Sequence, residues 1–157
     1  MWHTVLTTLQ AEFSDIPDLQ QLTRIVVRLL LAAALGAALG YERERQGKSA
    51  GVRTHMLVAL GAAIFVLVPE LADVPEGDMT RVIQGVITGI GFLGAGAIIK
   101  GEDEERVQGL TTAAGIWLTA AIGICCGLGR ESTAVLTALL AVAILALVPH
   151  LSSVKDK

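Results

Sequence analysis

"GVITGIGFLGAGAII", residues 85 to 99, decides the class of this protein, because its glycines admit two readings. Gly89, Gly91 and Gly94 stand in the order G-x-G-x-x-G. That order opens a dinucleotide-binding domain only where a strand precedes it, a helix begins at it and an acidic ribose partner follows about 20 residues later. Here the glycines lie inside an apolar run with no alternation of strands and helices around it. The phosphate-cradle reading fails. Glycines at helical spacing suit membrane helices instead, which associate where small residues let backbones approach.

The remainder of the chain supports a membrane reading. Of its 157 residues 53% are hydrophobic and the mean hydropathy is +0.64, well above the range of soluble domains. Apolar stretches run over 22–40, 54–68, 82–99, 111–129 and 133–148, and nearly every charge falls between them. Three reach the spanning length of about 17 to 25 residues, and the second and fifth borrow flanking residues. The expected fold is all-α: a single domain over 1–157, a polytopic bundle of five transmembrane helices with no soluble module at either end. Gly85, Gly89 and Gly96 share one face of the third span; Ala32, Gly36 and Gly40 form a stripe in the first; Thr111, Gly115, Thr119, Gly123 and Gly127 step through the fourth. These faces predict tight helix packing, with the fourth span central.

Positively charged loops stay on the cytoplasmic side. The first connection, "YERERQGKSAGVR", carries Arg43, Arg45, Lys48 and Arg53, whereas the second, "PELADVPEGDM", is acidic and belongs outside. The N-terminus is therefore expected outside and the C-terminus in the cytoplasm, with Lys155 and Lys157 in the tail. The third connection, "KGEDEER", falls inside by alternation although it is acidic. The first 20 residues lack the features of a removable signal peptide. Within them Trp2, Val5, Leu6, Leu9 and Phe13 fall on one helical face before Pro17, which suits either a short amphipathic helix on the outer leaflet or a loosely ordered tail.

Gly51 and Gly109 stand 109 − 51 = 58 residues apart, and at that offset "AGVRTHMLVALGAAI" aligns with "QGLTTAAGIWLTAAI" without a gap. The match reads either as a parallel repeat of the first two spans in the third and fourth or as a shared bias toward alanine and glycine. Each glycine precedes a helix start at the cytoplasmic face, where free N–H groups and the helix dipole favour negative charge. Arg53 and Thr54 stand on one start, Thr111 and Thr112 on the other. This corner is expected either to hold an anion, or to hold Glu42 and Glu44 of the neighbouring connection, or to be ordinary capping. Arg28 lies on the packing face of the first span, where an intramembrane charge must snorkel or find a partner; Gln84, Asp78 and Glu131 lie near its level.

Other chemistry is thin. Cys125 and Cys126 are adjacent, no C-x-x-C occurs, His3, His55 and His150 are scattered, and no nucleophile elbow appears. No enzymatic activity, cofactor or metal site is expected. A net charge of −3 without a basic stripe excludes nucleic acid as a partner.

The blocks "LGYERERQGKSAGVRTHMLVALGA", "GIGFLGAGAII" and "GLTTAAGIWLTAAIGICCGLG" resemble the MgtC/SapB family of bacterial inner-membrane proteins. The resemblance implies a five-helix membrane domain in the inner membrane. It also implies a link to growth in low magnesium and, in some members, restraint of the ATP synthase. Magnesium-linked members carry a soluble C-terminal domain that is not expected here, and Gln108 and Gly115 stand where the family pattern has a basic residue and a threonine. Glu42, Glu44, Arg53, Thr54, His55, Thr111, Thr112 and Trp117 match the blocks and are the candidate site residues. Two functions follow: a non-enzymatic regulator of other membrane complexes, or a small oligomeric channel or carrier whose path is lined by Arg28, Gln84, Thr88 and the cytoplasmic corner. Several small-residue faces in so short a bundle predict a homodimer in the bilayer.

Overall fold

The computed structural model describes residues 1–14, 16, 18–100 and 107–152, so Pro17, the acidic run 101–106 and Lys155 and Lys157 lie outside the described residues. Among the described residues the chain is all-α apart from one pair of two-residue strands. Its order is α1 (Trp2–Glu12), α2 (Leu19–Arg45), α3 (Val52–Leu71), α4 (Glu76–Gly96), β1 (Ile99–Lys100), β2 (Val107–Gln108), α5 (Leu110–Gly127) and α6 (Glu131–Ser152). The five expected spans correspond to α2 through α6. The N-terminal segment is helical, making six helices among the described residues, and α1 buries none of its residues. By length and composition α2, α3 and α5 are long and apolar enough to cross a membrane, while α6 offers the shorter apolar stretch Glu131–Leu147. In α4 the first two turns carry Glu76, Asp78 and Arg81, which shorten its apolar part below a full span.

Helix ends follow from local chemistry. Asp18 caps α2 by accepting from the Gln21 N–H at 2.6 Å, the usual role of an aspartate at that position. At the other end Gly47 takes φ +67°. The Lys48 N–H then donates to Arg43 O and the Gly47 N–H to Glu44 O, the left-handed closure that glycine permits without steric cost. The 58-residue offset lands on equivalent places in the two hairpins, since Gly51 and Gly109 are the N-caps of α3 and α5. The connections differ, however. Gly109 adopts φ +92° and abuts the Ala97 carbonyl, because the β1–β2 hairpin, which the sequence pattern did not signal, folds back against the end of α4.

The centre of the bundle is the contact of α3 with α2 and α5. A Cβ built on Gly36 would stand 2.6 Å from His55 O, and one on Gly40 would stand 2.6 Å from the Val52 Cα. On α5, Gly123 and Gly127 would meet the carbonyl oxygens of Ala59 and Ala63. Around these contacts Ala32, Leu39, Ala59, Ala63, Ile122, Cys126, Ala134, Ala138 and Ala141 form one buried cluster. Alanines and glycines bring backbones close where lipid supplies no hydrophobic drive between helices. On α4 the glycine face behaves differently: Gly85, Gly89 and Gly96 are exposed, with nothing within 4 Å of a built Cβ. Only Gly94 of that helix is buried, against Ala113 of α5.

Candidate functional site

Two buried arginines mark the ends of α2. Arg28, in its third turn, is 8% exposed. Its Nη1 donates to Glu70 Oε2 at 2.9 Å and to Gly127 O at 2.9 Å, and its Nε lies 3.7 Å from Glu131 Oε1. The Gly127 carbonyl is one of the acceptors that the end of α5 leaves free, so Arg28 ties α2 to the ends of both α3 and α5. Gly129, at φ +69° in the turn before α6, brings the backbone against the guanidinium. Of the three partners the sequence offered, Glu131 approaches. Gln84 is exposed on α4, and Asp78 faces Arg81 at 3.8 Å on the same helix. Thr88 is exposed as well, its hydroxyl donating to Gln84 O at 2.8 Å. Arg28, Gln84 and Thr88 therefore do not converge on one path.

At the basic end, Glu44 Oε2 accepts the Val52 N–H at 3.0 Å, capping α3 from the last turn of α2. Glu42 accepts from Gln46 Nε2 at 2.9 Å and lies 3.6 Å from Arg45, while Gln46 also reaches Leu145 O of α6 at 2.7 Å. Arg53 is exposed and makes no hydrogen bond or ion pair among the described residues. Thr111 is also exposed, Thr54 half-buried and Thr112 buried at the start of α5. The buried cation of this corner is Arg43, 1% exposed. Sequence reading counted it only as a topology charge. Its signal was the stripe Ala32, Gly36, Gly40, which reaches Arg43 one turn further once α2 is seen to continue to Arg45.

His55 is fully buried. Its Nδ1 lies 3.0 Å from Gly51 O, and since a carbonyl only accepts, Nδ1 carries the proton. Nε2 has no partner and faces Gly115, where a built Cβ would stand 3.5 Å from it. Next to them Thr119 donates to Gly115 O at 2.8 Å. Trp117, half exposed, looks the other way and lines a groove toward α4 with Ile83, Val86 and Ile90. Among the described residues no group of three or more His, Cys, Asp or Glu is placed to hold a metal ion.

The MgtC family profile matches residues 29–154, which takes in α3 to α6 and α2 from its third turn onward. The chain belongs to the MgtC family. It is 49% identical over 116 residues to Protein SrpB of Synechococcus elongatus, covering 65% of this chain and 62% of that protein. It is 45% identical over 111 residues to the putative magnesium transporter YhiD of Escherichia coli, covering 66% and 51%. With Protein MgtC of Brucella abortus it shares 42% over 125 residues, covering 80% and 51%. The chain thus spans about half to three-fifths of the length of these relatives. No solved structure matches it significantly. As an MgtC-family member with these apolar helices it is a multi-pass bacterial membrane protein.

The unpartnered His55 Nε2 of this MgtC-family chain makes Gly115 a useful test position. Gly115→Ser is expected to stabilise more than Gly115→Ala, by about 1 kcal/mol, because the hydroxyl can donate to Nε2, which is an acceptor while Nδ1 carries the proton. Intrinsic helix propensity alone ranks alanine above serine. Thermal unfolding of both variants in detergent checks the order, and an alanine variant at least as stable as the serine one would refute the contact.

Proposed function

We propose that the chain is a non-enzymatic inner-membrane component of magnesium or ion homeostasis that acts by contacting other membrane complexes, an ATP synthase among the candidates. The observation that carries the reading is the fate of the polar residues along the bundle. Arg28 is held by Glu70 and the Gly127 carbonyl, whereas Gln84 and Thr88 face outward from α4. A carrier of ions needs ionisable or polar groups turned toward a shared path, and one protomer offers none through these three residues. The name of YhiD as a putative magnesium transporter supports the link to magnesium and keeps transport as the competing reading.

In this reading the basic connection with Lys48 lies in the cytoplasm and the N-terminus outside. Assembly as a homodimer through α4 belongs to the same reading. A helical glycine costs roughly 0.5 to 1 kcal/mol relative to alanine, and a Cβ built on Gly85, Gly89 or Gly96 meets nothing within 4 Å among the described residues.

Purified protein in liposomes loaded with a magnesium-sensitive dye tests the reading directly. The expected result is no influx above empty liposomes, together with rescue of growth at low magnesium when the chain is expressed in a bacterium lacking its own MgtC-family gene. Robust influx would overturn the regulator and establish the carrier.

A further inference from the structure

We propose that α1 is an interfacial anchor, lying flat in the bilayer surface at the start of α2 with Trp2, Val5, Leu6, Leu9 and Phe13 set among the upper acyl chains. At the pitch of an α-helix these five side chains fall within an arc of about 100°, the width of a burying face. Thr4, Thr7, Thr8 and Ala11 take the opposite side. The apolar five are all exposed, and α1 buries no residue against the rest of the chain. A helix of 11 residues is marginal in water on its own, and an open apolar face of this kind forms stably only against a surface.

Reach makes lipid that surface. α2 has 27 residues, about 40 Å of helix, enough to cross a hydrocarbon core of about 30 Å and place its first turns at the headgroups. Residues 13–18 join α1 to that point and extend over about 20 Å at most. The apolar surface is also continuous, since Leu19, Leu22, Val26 and Val27 are exposed down the first turns of α2. The polar side of α1 suits the same layer. Thr7 donates its hydroxyl proton to His3 O at 2.9 Å and Thr8 to Thr4 O at 2.8 Å, so these hydroxyls are satisfied within the helix where water is scarce. A tryptophan at one end fits the belt in which an amphipathic ring has one side apolar and the other wet.

Charge specifies the kind of binding. No Lys or Arg precedes Arg24, and α1 carries the acidic Glu12. Attraction to anionic headgroups therefore contributes nothing, and the anchor rests on apolar burial. Five side chains hold a free peptide weakly. Tethered to a spanning helix, the same face meets the bilayer at high effective concentration.

The test uses the full chain in nanodiscs holding one copy each and reads amide hydrogen exchange in α1. Exchange is expected to be at least about tenfold slower than in an unstructured peptide of the same sequence. The rates should be the same in phosphatidylcholine and phosphatidylglycerol discs, and at about 0.05 and 0.5 M salt. Leu6→Gln, Leu9→Gln should return them to the unstructured value, whereas Thr4→Gln, Thr7→Gln should leave them slow, glutamine being a good helix former in both. Lipids spin-labelled near the headgroup should quench a share of the tryptophan emission that Trp2→Phe removes, leaving the share of Trp117, the other tryptophan. Unprotected amides in the parent, or equal effects of the two double variants, overturn the proposal. Slow exchange without quenching of Trp2 gives the face to the chain's own bundle, and protection seen only with two copies per disc gives it to a second chain; either result overturns the lipid assignment. Protection that requires phosphatidylglycerol overturns the apolar account. No arm measures magnesium flux, so the anchor and the regulatory reading fail separately.

Discussion

Gly123→Leu is expected to leave almost no folded protein in a detergent extract, and Gly123→Ala to lower the Tm of what remains. A side chain at this position meets the Ala59 carbonyl oxygen, and one turn on, Gly127 stands in the same relation to Ala63. These obstacles are helix backbone and cannot rotate aside. Relief requires lifting α5 from α3, which unpacks the cluster of Ala59, Ala63, Ile122 and Cys126. Overpacking against side chains costs about 1 to 3 kcal/mol, and a backbone obstacle puts Gly123 at the upper end or beyond. Gly85→Ala is the matched control, because nothing lies within 4 Å of its built Cβ. It should melt at or above the parent, gaining up to about 1 kcal/mol of helix propensity. Fluorescence-detected size exclusion gives the yields and thermal scans the order. A Gly123→Leu variant that accumulates and melts like the parent would remove α5 from the centre of the bundle.

The sequence made the helices legible because bilayer length and apolar composition are local properties, readable residue by residue. It also made Gly36, Gly40, Gly123 and Gly127 visible as a stepping pattern of small residues. What it could not distinguish was a small-residue face in contact from one left open: Gly85 and Gly89 repeat with the same four-residue step as Gly123 and Gly127, yet only the α5 pair meets a neighbouring helix. Contact depends on which helices become neighbours, and periodicity carries no information about that. The polar site shows the same limit. Arg43 and Arg53 are both basic residues near one connection, and only the continuation of α2 to Arg45 turns the first inward. The partner of Arg28 was missed for a related reason. Glu70 was read as part of an acidic external loop, but α3 continues through Pro69 to Leu71, which carries Glu70 back to the level of Arg28.

Arg28→Ala is expected to destabilise the bundle by about 2 to 4 kcal/mol, with Glu70→Ala costing less. A hydrogen bond to a charged group contributes about 1.5 to 3 kcal/mol, and Arg28 makes two, to Glu70 and to the Gly127 carbonyl. The two losses are unequal. The Glu70 side chain is 33% exposed and can turn to water once the arginine is gone, which places its share at the low end. The bond to Gly127 is buried, and the carbonyl at the end of α5 loses both its donor and a cation favoured by the helix dipole. Arg28→Lys should recover only part of the stability: one nitrogen, Nη1, serves both acceptors, but the shorter lysine ends before that point and has no Nε to approach Glu131. A double-mutant cycle separates the partners. Coupling of Arg28 with Glu70 should exceed about 1 kcal/mol, whereas coupling with Glu131, 3.7 Å away with a side chain 42% exposed, should stay below that. Thermal or denaturant unfolding of the single and double variants in one detergent supplies the numbers. Equal couplings would mean that the cluster acts as a diffuse charge balance, and an Arg28→Ala variant as stable as the parent would mean that α2 is held by its glycine contacts alone.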